Sequence, residues 1–355
     1  MCRLLTKVVA AGLLILLAAG GFAQDLGRVD LPLLVNIPTT PIPARAGGKF
    51  RLVYELHLTN TSAAPVMLNR VEVWGATRLT TIEGDELSKA MKPTRADTVD
   101  PRTIARGAHA VVMMWVSLDA VPETIKHRIV GTNGSDPEPL ILEYSAIPIG
   151  GTPVRLAPPL RGDRWLAANG PSNDTHHRRS WLSYEGRALF PERFAIDFVR
   201  LHDTGGLTNG DPAENGSYRS YGAEAVAVAD AQVAAIKDGI PDNVPANRAP
   251  PGLTLDTMGG NLVVLDLGNR LYAFYSHLQP GSIRVKPGDR VRTGEILGLV
   301  GNSGNGNAPH LHFQVSDRPS LLLSDGVPFV FDSFVHEGKT RTDEIPVQNW
   351  IVSFR

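Results

Sequence analysis

The chain has 355 residues, 43% hydrophobic and 20% charged, with 35 Gly, 27 Pro and one Cys. It is long and apolar enough to bury a sizeable core, which excludes a disordered or fibrous chain. Its formal net charge is −1 and it has no long basic run, which argues against nucleic acid, a partner that needs clustered Lys and Arg.

At the amino terminus, Arg3 and Lys7 precede an apolar stretch from Val8 to Ala19. Gly21-Phe22-Ala23 then gives the small-x-small pattern that a signal peptidase cleaves. Residues 1–23 therefore read as an export signal, leaving a periplasmic or extracellular chain not held in a membrane. The apolar stretch falls short of the roughly 20 residues a spanning helix needs. Cys2 lies ahead of it, so cleavage leaves no cysteine, and stability must come from packing or metal.

Beyond the signal the pattern is all-β and long enough for two domains. Phe50, Leu52, Tyr54, Leu56 and Leu58 alternate with Arg51, Glu55, His57 and Thr59, the signature of a half-buried strand. Strand-like runs follow at Val71–Trp74, Ala110–Leu118, His127–Val130 and Leu140–Tyr144, which makes residues 25–150 a β-sandwich-like accessory domain. His57, His109 and His127 are scattered singly there and read as surface or structural residues. The Pro- and Gly-rich residues 151–162 read as a linker. Residues 163–340 resume with strand-like runs at Ala223–Val233, Asn261–Leu267 and Leu271–Leu278. Two long polar loops, Arg200–Gly222 and Asp238–Gly260, interrupt them, and loops of that length in a compact domain are commonly functional.

Three segments of this second half carry chemistry. In Pro309-His-Leu-His-Phe-Gln-Val315, a strand period of two sets His310, His312 and Gln314 on one face and Leu311, Phe313 and Val315 on the other, so the two imidazoles can meet one site or stand as a solvated pair on a sheet face. Asp197 sits inside the apolar run Arg193-Phe-Ala-Ile-Asp-Phe-Val199. A buried carboxylate needs a cation, either a metal or an arginine such as Arg193 or Arg200. His277 ends the run Tyr272-Ala-Phe-Tyr-Ser-His-Leu278.

These segments resemble the LytM/lysostaphin-type zinc metallopeptidases. The specific stretches are Tyr275-Ser-His-Leu278, Val285-x-x-Gly288-Asp-x-Val291-x-x-Gly294, Gly301-Asn-Ser-Gly304 and Pro309-His-Leu-His-Phe313, in the family's order. The resemblance covers about Trp165 to Asp332. It implies a LytM-like antiparallel β domain that binds Zn2+ through Asp197 and His312, with His277 and His310 handling protons. It further implies an exported endopeptidase hydrolysing peptidoglycan cross-links or stem peptides through a metal-bound water. Zinc in such sites takes three N or O ligands and leaves a fourth position for water.

The sequence departs from the family at the first ligand, four residues before Asp197. Arg193 stands there and cannot bind zinc. His177 is the preferred replacement, because the Ser180–Glu192 loop with Gly186 and Pro191 can return it to Asp197; His176 and His202 are the alternatives. The same departure supports a competing reading, a catalytically inactive LytM-like module that binds or activates another cell-wall hydrolase. A lipoyl-type carrier, suggested by the Val-x-x-Gly hairpin spacing, lacks the lysine its turn requires. No nucleotide loop, serine elbow or basic amphipathic helix is present.

Overall fold

The computed structural model describes residues 32–355 other than 94–98, 135, 137 and 246–249. The export signal read in residues 1–23 lies outside the described residues. Among the described residues, no helix is long and apolar enough to cross a membrane. The fold is all-β: strands dominate, and among the described residues helix is confined to Gly84–Ala90, His176–Arg179 and a single 3-10 turn.

Two five-stranded antiparallel sheets make the amino-terminal part. One is built around Lys49–Asn60 and His109–Leu118, the other around Val66–Trp74 and Thr124–Asn133. Leu52, Tyr54, Leu56 and Leu58 of the first sheet share a core with Val66, Leu68, Val71 and Ile129 of the second, so the two form a sandwich. The opposite face of Lys49–Asn60 departs from the half-buried expectation: Val53, Glu55 and His57 are buried as well. Val53 joins the carboxy-terminal core, Glu55 meets two arginines, and the His57 ring lies against Phe190. Alternation reports both faces of a strand but not what covers them.

Inside the Pro- and Gly-rich segment, Val154–Leu156 pairs parallel with Phe329–Phe331. The carboxy-terminal part holds a ten-stranded antiparallel sheet among the described residues. Its centre runs Leu271–Leu278, Leu311–Ser316, Ile196–Arg200, Gly162–Ala168. Tyr275, Phe313, Phe198, Phe329 and Phe331 fill the core on one side of it. Those aromatic rings fix the register, because a one-residue slip would exchange them for the polar residues between. In that register Ala168 faces Asp197, Asp197 faces His312, and His312 faces Ser276, giving one row across four strands.

Candidate metal centre

Asp197 and His312 are Cα partners on adjacent strands, with Asp197 Oδ1 3.0 Å from His312 Nδ1. His310, two residues earlier, brings Nε2 to 3.5 Å from the same oxygen. His177 comes from the short helix His176–Arg179 and sets Nε2 3.4 Å from Asp197 Oδ2. The hairpin of Leu182–Tyr184 and Leu189–Arg187 makes the return that the Ser180–Glu192 loop requires. His277 completes the group, its ring 4.7 Å from that of His310 and 5.9 Å from that of His312.

Each imidazole has one nitrogen committed elsewhere. His177 Nδ1 donates to the Asn169 carbonyl (2.9 Å), His277 Nδ1 to the Ser303 carbonyl (2.8 Å) and His310 Nδ1 to the Ala308 carbonyl (2.7 Å). A carbonyl accepts only, so the N–H of each ring is fixed there and Nε2 is left bare. For His312 the argument runs through Gln314. The Gln314 amide nitrogen donates to the Leu321 carbonyl (2.9 Å) and to Ser316 Oγ (2.8 Å), so its oxygen faces His312 Nε2 at 2.9 Å and accepts that N–H. His312 Nδ1 is thereby turned to Asp197. Asn169 adds a second contact, its amide donating to Asp197 Oδ2 at 2.9 Å.

Neither Arg193 nor Arg200 neutralises Asp197. Arg193 pairs with Glu55 and Asp325, and Arg200 pairs with Asp163. Burial alone would push the Asp197 carboxyl up, but the surrounding His177, His310 and His312 hold it well below the usual carboxylate range. Burial disfavours the charged form of His312, yet the hydrogen bond and charge of Asp197 outweigh it and raise this ring to about 9. His277 moves the other way: burial, reinforced by His310 and His312, pushes it well below its ordinary value, which keeps it neutral. His277 also has φ 64°, a left-handed conformation rarely adopted by a side chain of this size. Backbone bonds on both sides hold it there, from its N–H to Gly259 O (2.9 Å) and from Gly301 N–H to its own carbonyl (3.0 Å).

The donor chemistry fits a divalent cation of zinc type. Tetrahedral donors each about 2.1 Å from a metal stand roughly 3.4 Å apart. Among the described residues, two sets of donor atoms lie within 4.8 Å of one another, His176 with His177 and Asp197, and His177 with Glu192 and His312. Neither set includes His277 or His310, and His177 is the residue common to both, while Asp197 and His312 fall in different sets. His202 is drawn elsewhere, its Nε2 donating to the Ser217 carbonyl at 3.0 Å. Sequence reasoning missed Glu192, Asn169 and the positioning part of Gln314. Gln314 had a signal, since it shares the strand face of both histidines.

The cluster lines a groove of about 680 Å3 together with Trp181, Leu182, Leu255 and Met258. Of the two long polar loops only Asp238–Gly260 contributes to that lining among the described residues. The Arg200–Gly222 loop braces it from behind, through Asn215 to the Asn243 carbonyl (2.8 Å) and Tyr221 to Asp242 (2.8 Å).

Residues 218–322 match peptidase family M23. Among curated relatives, the peptidoglycan DD-endopeptidase ShyA of Vibrio cholerae is 39% identical over 71 residues, 19% of this chain and 16% of that protein. The glycyl-glycine endopeptidase ALE-1 of Staphylococcus capitis is 44% identical over 75 residues, 20% of each chain. The chain thus spans a fifth or less of the length of these relatives. A solved structure of a zinc containing peptidase from Vibrio cholerae aligns with 82% of this chain and 85% of its own at 14% identity, with a TM-score of 0.21.

Proposed function

Starting from the premise that residues 218–322 are a peptidase family M23 domain, we propose that this chain is an exported zinc endopeptidase acting on the peptides of peptidoglycan. Residues 163–340 form its peptidase domain, and residues 25–150, joined through 151–162, its accessory domain. His177, Asp197 and His312 would hold the metal. The supporting observation is that His177, His310 and His312 each have one ring nitrogen tied off and the other turned to one buried carboxylate. The relatives, one named a peptidoglycan DD-endopeptidase and the other a glycyl-glycine endopeptidase, support the peptidoglycan substrate.

When bound, the cation supplies Lewis acidity and a lowered water pKa. Asp197 and the tied imidazoles contribute orientation, so little reorganisation is needed as charge develops. His277 and His310 each keep a bare Nε2, the atom at which a proton is accepted and later returned to a leaving amine. The neutral state of His277 suits it to accept one. Trp181, Leu182, Leu255 and Met258 give the groove apolar walls that seat an extended peptide and thin the water over the scissile bond.

The case for an inactive module rested on Arg193 at the usual ligand position. With His177 beside Asp197 the donor count no longer favours it. The test is a pair of variants: His312→Ala should lose both bound zinc and turnover, whereas His310→Ala should keep zinc and lose turnover by about 10²- to 10⁴-fold. Zinc analysis of purified protein and hydrolysis of isolated peptidoglycan read the two outcomes. Wild-type hydrolysis by both variants would refute the enzyme assignment.

A further inference from the structure

The turn that presents His177 is held largely by the amino-terminal sandwich. Arg178, adjacent to His177 and 1% exposed, donates to Glu55 Oε1 and, through Nη2, to the Tyr54 carbonyl (2.9 Å). Asn173 donates to the Met113 carbonyl (2.9 Å), and Met113 is the cross-strand partner of Glu55. Arg179 donates to the carbonyls of Lys89 (2.7 Å) and Met91 (3.0 Å), while the Lys92 ammonium donates back to the Arg179 carbonyl. Every one of these partners lies in residues 54–113.

Glu55 has a second guanidinium on its other side. Arg193 donates from Nε to Glu55 Oε1 (2.9 Å) and from Nη2 to Oε2 (2.7 Å), and it also reaches the Gly326 carbonyl (2.8 Å) and Asp325 Oδ1 (3.3 Å). Arg193 stands four residues before Asp197, on the segment that leads into the Ile196–Arg200 strand. One buried carboxylate therefore joins the turn bearing His177 to the approach of the strand bearing Asp197. Arg178 and Arg193 face Glu55 and Asp325 there, Arg187 adding a further contact to Asp325 (3.2 Å), so every buried charge is bonded and removing one partner would leave another uncompensated.

We infer that Glu55 is a positioning residue of the metal centre, setting the separation of His177 from Asp197 through Arg178 and Arg193, so that the amino-terminal sandwich is part of the site's construction. The inference rests on the reading of His177 as a ligand. It gives Arg193 a purpose: the residue that displaced a local ligand anchors the support for a distant one.

A double-mutant cycle in the full chain tests it, with zinc affinity measured by competition against chelators of graded strength and the fold checked by near-UV circular dichroism. Glu55→Gln should weaken zinc binding by about tenfold to a hundredfold, and His177→Ala by at least as much. The double variant should bind no more weakly than His177→Ala, because Glu55 acts through that imidazole; a merely structural effect would add to it. Folded Glu55→Gln with wild-type affinity, beside a weakened His177→Ala, overturns the positioning role alone, as does additivity in the double variant. Wild-type affinity in His177→Ala instead overturns the ligand assignment, and the positioning role with it. Asn173→Ala removes the bonds to Met113 and Arg178 without leaving a buried charge. If Glu55→Gln does not fold, the same cycle with Asn173→Ala decides: non-additive weakening supports the role, and wild-type affinity or additivity refutes it.

Discussion

Gln314 does more at the site than its position on the strand suggests. Because its amide nitrogen is fixed by Leu321 and Ser316, its oxygen dictates which nitrogen of His312 faces Asp197. Gln314→Leu keeps the volume and removes that instruction, so zinc affinity should fall by about tenfold or more while the fold survives; a chelator competition at constant pH measures it. Asp197, His277, His310 and His312 were legible in the sequence because strand period and order carry them. His177 was legible only as the preferred one of three candidates, since what brings it to Asp197 is a bond pattern with residues 60 to 124 positions away. Asn169 gave no signal, because it orients His177 through a backbone carbonyl, which has no residue type, and its side-chain amide reaches Asp197 from 28 positions away.

At the level of elements, the segment around Gly301–Gly304 backs the Leu271–Leu278 strand beside His277, its penultimate residue. A Cβ on Gly304 would lie 2.3 Å from the Gly260 nitrogen, and Gly304 itself has φ 68°. Gly304→Ala must therefore push the neighbouring Ser303 carbonyl away from His277 Nδ1, which it now accepts from at 2.8 Å. Turnover should drop by at least tenfold with bound zinc unchanged, a split that parallel zinc analysis and peptidoglycan hydrolysis will reveal. The Lys49–Asn60 strand teaches a different lesson. Its apolar face was readable from alternation, but Glu55 and His57 looked like solvent-facing residues because their covering segments arrive from elsewhere in the chain.

Across the whole molecule, the buried cluster of Glu55, Arg178, Arg193 and Asp325 lies where the sandwich meets the site. Burial would raise the Glu55 carboxyl, yet Arg193 and Arg178 bring it from an ordinary value near 4.5 down to about 2. A depressed folded-state value means that its stabilisation is complete above about 4.5 and is lost as pH falls toward 2. The thermal midpoint of the wild-type chain should fall across that window, and Glu55→Gln should flatten the fall; equal slopes in a calorimetric pH series would contradict the assignment. Pro32–Arg355 is one compact unit, and the same shared ions tie the segments that carry its two larger cores. Calorimetry should accordingly show a single unfolding transition, shifted downward by chelation; two separated transitions would argue against the coupling.

The Arg178 grip on Glu55 also limits how this protein can be recombined. A graft that took only residues 218–322 from a relative would leave the recipient His177 turn in place, but a graft that exchanged the sandwich would remove its footing. Shuffling experiments should therefore tolerate crossovers inside the matched segment and fail at the seemingly natural boundary near residue 150, unless Glu55 and its two guanidinium partners travel together.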